Sequence, residues 1–165
     1  MGELAINGRT KVEQPSERAI VATRMFNAPP RLVYEAWTTA ELFKQWWAPR
    51  SMGMNLLSCE MDVRTGGGYR LAFGQDAANA FEFFGKYLEV IPNARLVWTN
   101  DEGGENAVTT VTFEEKDGGT LLVMEELYPS KQALDEGRGA EDALPEQFEQ
   151  LDALLLTLAT RVGES

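Results

Sequence analysis

The chain has 165 residues, 44% of them hydrophobic, a formal net charge of -11, one cysteine and no histidine. That length fits one domain with a core of its own, and the negative charge repels phosphate backbones and anionic bilayer surfaces, so neither nucleic acid nor a membrane is expected as a partner. Without imidazole, histidine-based acid–base catalysis and histidine-rich zinc or iron sites are excluded, so no metal and no cofactor is expected.

Cys59 has no partner for an internal disulfide, and no apolar run approaches the ~18 residues of a membrane span. The start of the chain lacks the apolar stretch of a secretory signal, so a cytoplasmic location is expected. The acidic residues are spread along the chain, as in a solvated surface.

Residues 1–17 are polar without a clear period and read as a flexible N-terminal arm, with a single domain over residues 18–163. Residues 18–26 (RAIVATRMF) alternate apolar and polar with β-branched content, which predicts a strand ended by Pro29-Pro30. Leu32, Val33, Ala36 and Trp37 then recur at helical spacing, with Pro30 tolerated in the first turn. Thr38 and Glu41 are spaced as the capping box of a second short helix, in which Leu42 and Trp46, and Phe43 and Trp47, stand four apart before Pro49 stops it. The two adjacent tryptophans therefore point in directions about 100° apart.

From Ser51 the period becomes two. Strands are predicted at residues 54–63, 68–73, 80–91, 94–100, 107–115 and 120–128, separated by turn chemistry at 64–68 (RTGGG), 74–79, 92–93, 101–105 and 116–119. Asp117-Gly118 is the clearest hairpin signal, because positive φ is cheap there. Consecutive strands with short turns imply an antiparallel meander. Ser130 can cap a short helix running to Glu136. After the break GRGAED, a longer helix begins near Pro145, with Phe148, Leu151, Leu155, Leu158 and Val162 on one stripe. These elements define an α+β fold: a curved antiparallel sheet of about seven strands around a long C-terminal helix, with two short helices after the first strand.

The runs RMFNAPPRLVYEAWTTAELFKQWWAPR, CEMDVRTGGGYR, FFGKYLEVIPNARLVWT and VTTVTFEEKDGGTLLVMEELYPSKQAL, in this order and spacing, resemble the heat-shock protein 90 ATPase-activator homologue family of the START-like SRPBCC superfamily. The resemblance covers residue 18 to about residue 158. It implies a helix-grip (START/Bet v 1-like) fold with a hydrophobic cavity between sheet and terminal helix. It further implies binding of small hydrophobic or aromatic molecules, in some members polyketide-cyclase-like chemistry, and in the eponymous members stimulation of a chaperone's ATPase. Where relatives often place threonine or histidine near the end of the last strand, this chain has Glu125-Glu126.

Strand parity nominates cavity walls: Tyr69, Leu71 and Phe73 on one strand, Phe81, Phe83 and Tyr87 on the next, then Leu96 with Trp98, and Leu122, Met124 and Glu126 on the last. Phe148, Leu151 and Leu155 are placed opposite on the helix. The competing reading is a filled core, but the number of rings and a pliable methionine favour a pocket. Glu126, pointing inward, costs several kcal/mol unless paired, and could hydrogen-bond a ligand or serve as general acid or base with Tyr69 or Tyr87. Trp46 reads as a core anchor and Trp47 as a wall closing the cavity's end. The glycines at 66–68 lead into a strand and read as a turn, fixed by Asp62 and Arg64, not as a phosphate loop. Cys59 reads as a small buried hydrophobe.

The leading expectation is binding of a small hydrophobic or aromatic ligand without catalysis. A cyclase or hydrolase using Glu126 with a tyrosine, and a chaperone-ATPase-stimulating or protein-interaction module, are the alternatives. A homodimer stays open.

Overall fold

In the computed structural model, which describes residues 2–7, 10–52, 55–74, 76, 78, 80–101, 107–137 and 143–164, nine strands form one sheet. They are β1 (Gly2–Asn7), β2 (Thr10–Gln14), β3 (Ala19–Phe26), β4 (Asn55–Met61), β5 (Gly68–Gly74), β6 (Phe81–Ile91), β7 (Arg95–Asn100), β8 (Ala107–Lys116) and β9 (Gly119–Leu127). The spatial order is β1-β2-β3-β9-β8-β7-β6-β5-β4, antiparallel at each described pairing. The helices are α1 (Pro30–Thr38), α2 (Ala40–Phe43), α3 (Lys131–Gly137) and α4 (Leu144–Glu164). Of the predicted turns, half of 74–79, most of 101–105 and the break at 138–142 lie outside the described residues, as do Met54 and the side chain of Val162.

Nine strands are described where about seven were expected, because residues 2–7 and 10–14, read from sequence as part of a flexible arm, are strands. Residues 2–7 and 10–14 form a hairpin on the β3 edge, where Thr10 and Val12 are buried and Lys11 is exposed. Only two inward side chains carry that short alternation, too few to stand out among the charged residues around them.

Along the meander, period-two burial is clearest in β8, where Ala107, Thr109, Val111 and Phe113 turn inward. The β8–β9 hairpin closes at Lys116 and Gly119 through Asp117 (φ 52°) and Gly118 (φ 82°), the primed turn that matches strand twist. At the β4–β5 turn, Arg64 Nε donates to both carboxylate oxygens of Asp62 (3.0 and 2.9 Å). Gly66 N donates to Tyr87 O, and Tyr87 N to Gly67 O, both at 2.8 Å, which folds the glycines back onto β6. A side chain at position 67 would collide with the Asp62 carbonyl. Irregular registers at Leu56/Ser58 and Tyr87/Glu89 bend the sheet as bulges do.

β3 lies beside β9 in the middle of the sheet and β4 lies at one edge, so the α1–α2 connection crosses the concave face between them. α1 buries Leu32, Val33, Ala36 and Trp37. The expected capping box is absent: α2 begins after Thr39, and the Thr38 hydroxyl donates instead to Tyr34 O (2.8 Å). α2 also ends at Phe43, and the chain passes through turns before Pro49, so the two tryptophans are set by turn geometry rather than by a continuing helix. Ser130 does cap α3, its hydroxyl accepting from Ala133 N at 3.1 Å.

α4 lays Phe148, Leu151, Leu155 and Leu158 against α1, β2 and β3. Each such side chain stabilises the fold by about 1.5–3 kcal/mol when fully buried. Phe148 meets Phe26 edge-on at 5.8 Å and Trp37 at 6.4 Å. The body of the helix thus cements the β2–β3 half of the concave face.

Candidate functional site

Over the β4–β9 half, the first turn of α4 and the Phe43–Pro49 segment stand off from the sheet and leave a cavity of about 450 Å³. Its walls are Met61 of β4, Tyr69, Leu71 and Phe73 of β5, Phe83 and Tyr87 of β6, and Trp98 and Asn100 of β7. Ala107, Met124, Glu126 and Tyr128 continue them, and Trp37, Phe43, Trp47, Pro49, Ala143, Leu144 and Gln147 close the helical side. Phe83 is 39% exposed and stands at the mouth.

An aromatic cluster holds the helical wall. Trp37 packs against Trp46 (4.7 Å), Trp47 (5.8 Å) and Trp98 (5.9 Å), and Phe43 stacks on Trp47 (4.8 Å, 25°). Trp46 is wholly buried, and its indole N–H donates to Ala36 O at 3.0 Å, satisfying a carbonyl that the end of α1 leaves open. Gln147 Nε2 donates to Trp47 O (2.5 Å), and Gln150 Nε2 to Trp46 O and Ala48 O (both 2.9 Å), tying this wall to α4.

Polar groups gather along one row of the sheet. Register pairs Tyr87 with Trp98, Trp98 with Thr109 and Thr109 with Glu126, so these four residues run across β6 to β9 side by side. The Tyr128 hydroxyl donates to Glu126 Oε2 at 2.9 Å. Tyr69 donates to Thr99 O (2.7 Å), and Asn100 Nδ2 donates to Thr109 Oγ1 (2.9 Å) and Ala107 O (3.3 Å). Burial pushes the Tyr87 hydroxyl far above the usual tyrosine range, with the nearby Cys59, Tyr34 and Asp62 acting the same way. Cys59 is half-buried, and burial pushes its thiol up to about 11, with Lys44 opposing and Glu41 reinforcing. Among the described residues, no cluster of three or more Cys, Asp or Glu side chains could hold a metal ion.

Of the residues nominated from sequence, Trp47, Tyr69, Leu71, Phe73, Phe83, Tyr87, Trp98, Met124 and Glu126 stand around this cavity. Leu96, Leu122, Phe148, Leu151 and Leu155 do not, being buried in the packed core, and neither does Phe81, which is exposed at the surface. The helix residues share the right stripe, but α4 touches down on β2 and β3, and only its first turn reaches the hollow. Sequence reasoning missed Tyr128 and Asn100, although parity continues from Glu126 to 128 and from Trp98 to 100. It also missed Met61, Ala107 and Pro49, and it did not nominate Trp37 as a wall. The tyrosine bonded to Glu126 is Tyr128, not the nominated Tyr69 or Tyr87.

A curved antiparallel sheet closed by a long C-terminal helix, with two short helices spanning the concave face, defines the helix-grip class of α+β proteins. The chain belongs to the family described as "Activator of Hsp90 ATPase homolog 1-like protein", whose pattern matches residues 27–156. Its fold is that of the START-like superfamily. A crystal structure of a Rhodobacter sphaeroides protein superposes with a TM-score of 0.83 at 22% identity, covering 90% of this chain and 99% of that one. A Chromobacterium violaceum protein gives 0.71 at 26% identity, covering 85% and 98%. The solution structure of an AHSA1-like protein from Aeromonas hydrophila gives 0.68 at 19% identity, covering 82% and 92%. No curated protein matches the chain. Among the described residues, no helix is long and apolar enough to cross a membrane.

Proposed function

We propose that this protein binds a small hydrophobic or aromatic molecule in the cavity between the sheet and the start of α4, without catalysis. The observation that carries this reading is the hollow itself: about 450 Å³, walled among the described residues by nine aromatic side chains and one charged residue, Glu126. Pockets of ~300–1,000 Å³ that are mostly apolar with a few placed polar groups are the usual form of small-molecule sites. Close-packed interiors leave few voids larger than a water molecule, so a volume of this size is no packing defect.

Native mass spectrometry of the freshly purified protein tests it, with Ala107→Trp as the control. Ala107 is buried on the wall, and an indole there fills the hollow. A retained small molecule on the parent protein that is lost from Ala107→Trp is the expected outcome; an empty parent that also fails to take up any hydrophobic compound sinks the reading.

Two further readings each have one support. The Tyr128–Glu126 hydrogen bond places a carboxyl and a phenol side by side on the wall, as a cyclase or hydrolase would need. Glu126→Gln then abolishes turnover, whereas it leaves the affinity of a purely apolar guest nearly unchanged. The family's description supports a chaperone-ATPase role, which a stimulation assay with a purified chaperone tests.

A further inference from the structure

Trp37 and Trp46 meet at 4.7 Å, yet their N–H groups differ. The Trp46 indole donates to Ala36 O, whereas Trp37, 1% exposed and part of the cavity wall, has no acceptor for its Nε1–H among the described residues. A buried indole N–H ordinarily finds a partner, and one left without it costs stability that an acceptor restores. Local packing explains the lack. Phe43, Trp46, Trp47, Trp98, Phe113 and Phe148 stand around the ring with centroids 4.7–6.4 Å away, and none of these side chains carries an oxygen.

On the protein side Trp37 meets rings, so an oxygen for this N–H has to come from the hollow. Other donors on the wall are already spent: Tyr69 on Thr99 O, Asn100 on Ala107 O and Thr109 Oγ1, Tyr128 on Glu126, and Gln147 on Trp47 O. No lysine or arginine stands among the described wall residues. An anionic guest would therefore lose its hydration without gaining a counter-charge.

We infer that, granted the ligand-binding reading above, the guest is a neutral aromatic carbonyl compound, a ketone, quinone or ester, whose oxygen accepts a hydrogen bond from Trp37 Nε1. A carbonyl suits the site because it accepts without bringing a donor that would itself need a partner. The size agrees: a cavity of ~150 Å³ holds one benzene ring, and this one, at about 450 Å³, takes two or three rings. Trp37 then sets specificity as well as packing. Its ring holds the helical wall, and its N–H tells a carbonyl compound from the hydrocarbon of the same shape.

Probes of one flat frame test this on the full chain by calorimetry: fluorene, 9-fluorenone, in which a carbonyl replaces the ring CH₂, and fluorene-9-carboxylate, which brings an anionic acceptor to the same edge. Fluorenone is expected to bind about tenfold tighter than fluorene, the worth of one neutral hydrogen bond, and tighter than the carboxylate. The four tryptophans give four indole N–H signals in a ¹⁵N-labelled sample. Fluorenone moves the Trp37 indole proton downfield of its position with fluorene, whose ring currents are similar, and Trp37→Phe brings the fluorenone-to-fluorene affinity ratio close to one. A merely structural role for Trp37 would weaken both compounds alike and keep the ratio. Equal binding of fluorene and fluorenone, or a fluorenone preference that survives Trp37→Phe, overturns the inference and leaves the cavity reading standing; so does tighter binding of the carboxylate. Failure of all three to bind overturns the inference, and the cavity reading with it if the freshly purified protein is also empty by native mass spectrometry. Where Trp37→Phe does not fold, the wild-type indole signal decides: no difference between the two complexes overturns the inference.

Discussion

Trp46 shows how one side chain joins two segments of the molecule. Its ring fills the space beside Trp37, and its N–H satisfies the Ala36 carbonyl. Trp46→Ala therefore loses packing and orphans a buried acceptor, a loss of about 3–5 kcal/mol. Trp46→Phe keeps most of the packing and loses about 1–3 kcal/mol; urea unfolding midpoints order the three proteins. Cys59 and Tyr87 make a second prediction at this scale. Both hold their protons more tightly folded than unfolded, since burial raises each above its ordinary value. Their contribution is fully present below the unfolded values and is lost as pH rises through the folded ones, for Cys59 between its ordinary value and about 11. Stability measured in urea from pH 8 to 11 declines, and Cys59→Ser and Tyr87→Phe each make that decline shallower.

Elements were legible where backbone chemistry is local. The Asp117-Gly118 pair marks its hairpin because both residues adopt positive φ, and Gly118→Ala, which forces a side chain into φ 82°, lowers stability by about 1–2 kcal/mol. A denaturant titration checks that value. The strands of the meander were equally plain, since a period of two persists through them. The N-terminal hairpin was not, although Asn7-Gly8 is itself a turn signal: two inward residues in β2 do not make a pattern until β3 is beside them. The short span of α2 was hidden for a different reason. Phe43 and Trp47 keep helical spacing whether the chain between them is helix or turn.

Across the whole molecule, the sheet's nine strands make the first two a protective edge. Deleting residues 1–14 uncovers β3 and removes the buried Thr10 and Val12. The truncated protein is expected to unfold at lower urea and to associate with rising concentration on size-exclusion chromatography, because an open strand edge recruits another. A folded monomer of unchanged stability would show the hairpin to be dispensable. The same scale explains what the wall residues withheld. Which stripe of α4 meets the sheet follows from periodicity, but where along its length the helix lands does not. Leu151 and Leu155 were therefore nominated for a hollow that meets the helix only nearer its start, at Leu144 and Gln147.

Because α4 grips only one end of the trough, mortar and vestibule occupy separate districts of a single concave surface. Apart from Trp37, which touches Phe148 of the clamp, the rings of the open district can vary and leave the clamped one intact. A lineage can redraw what it accommodates there while keeping its architecture.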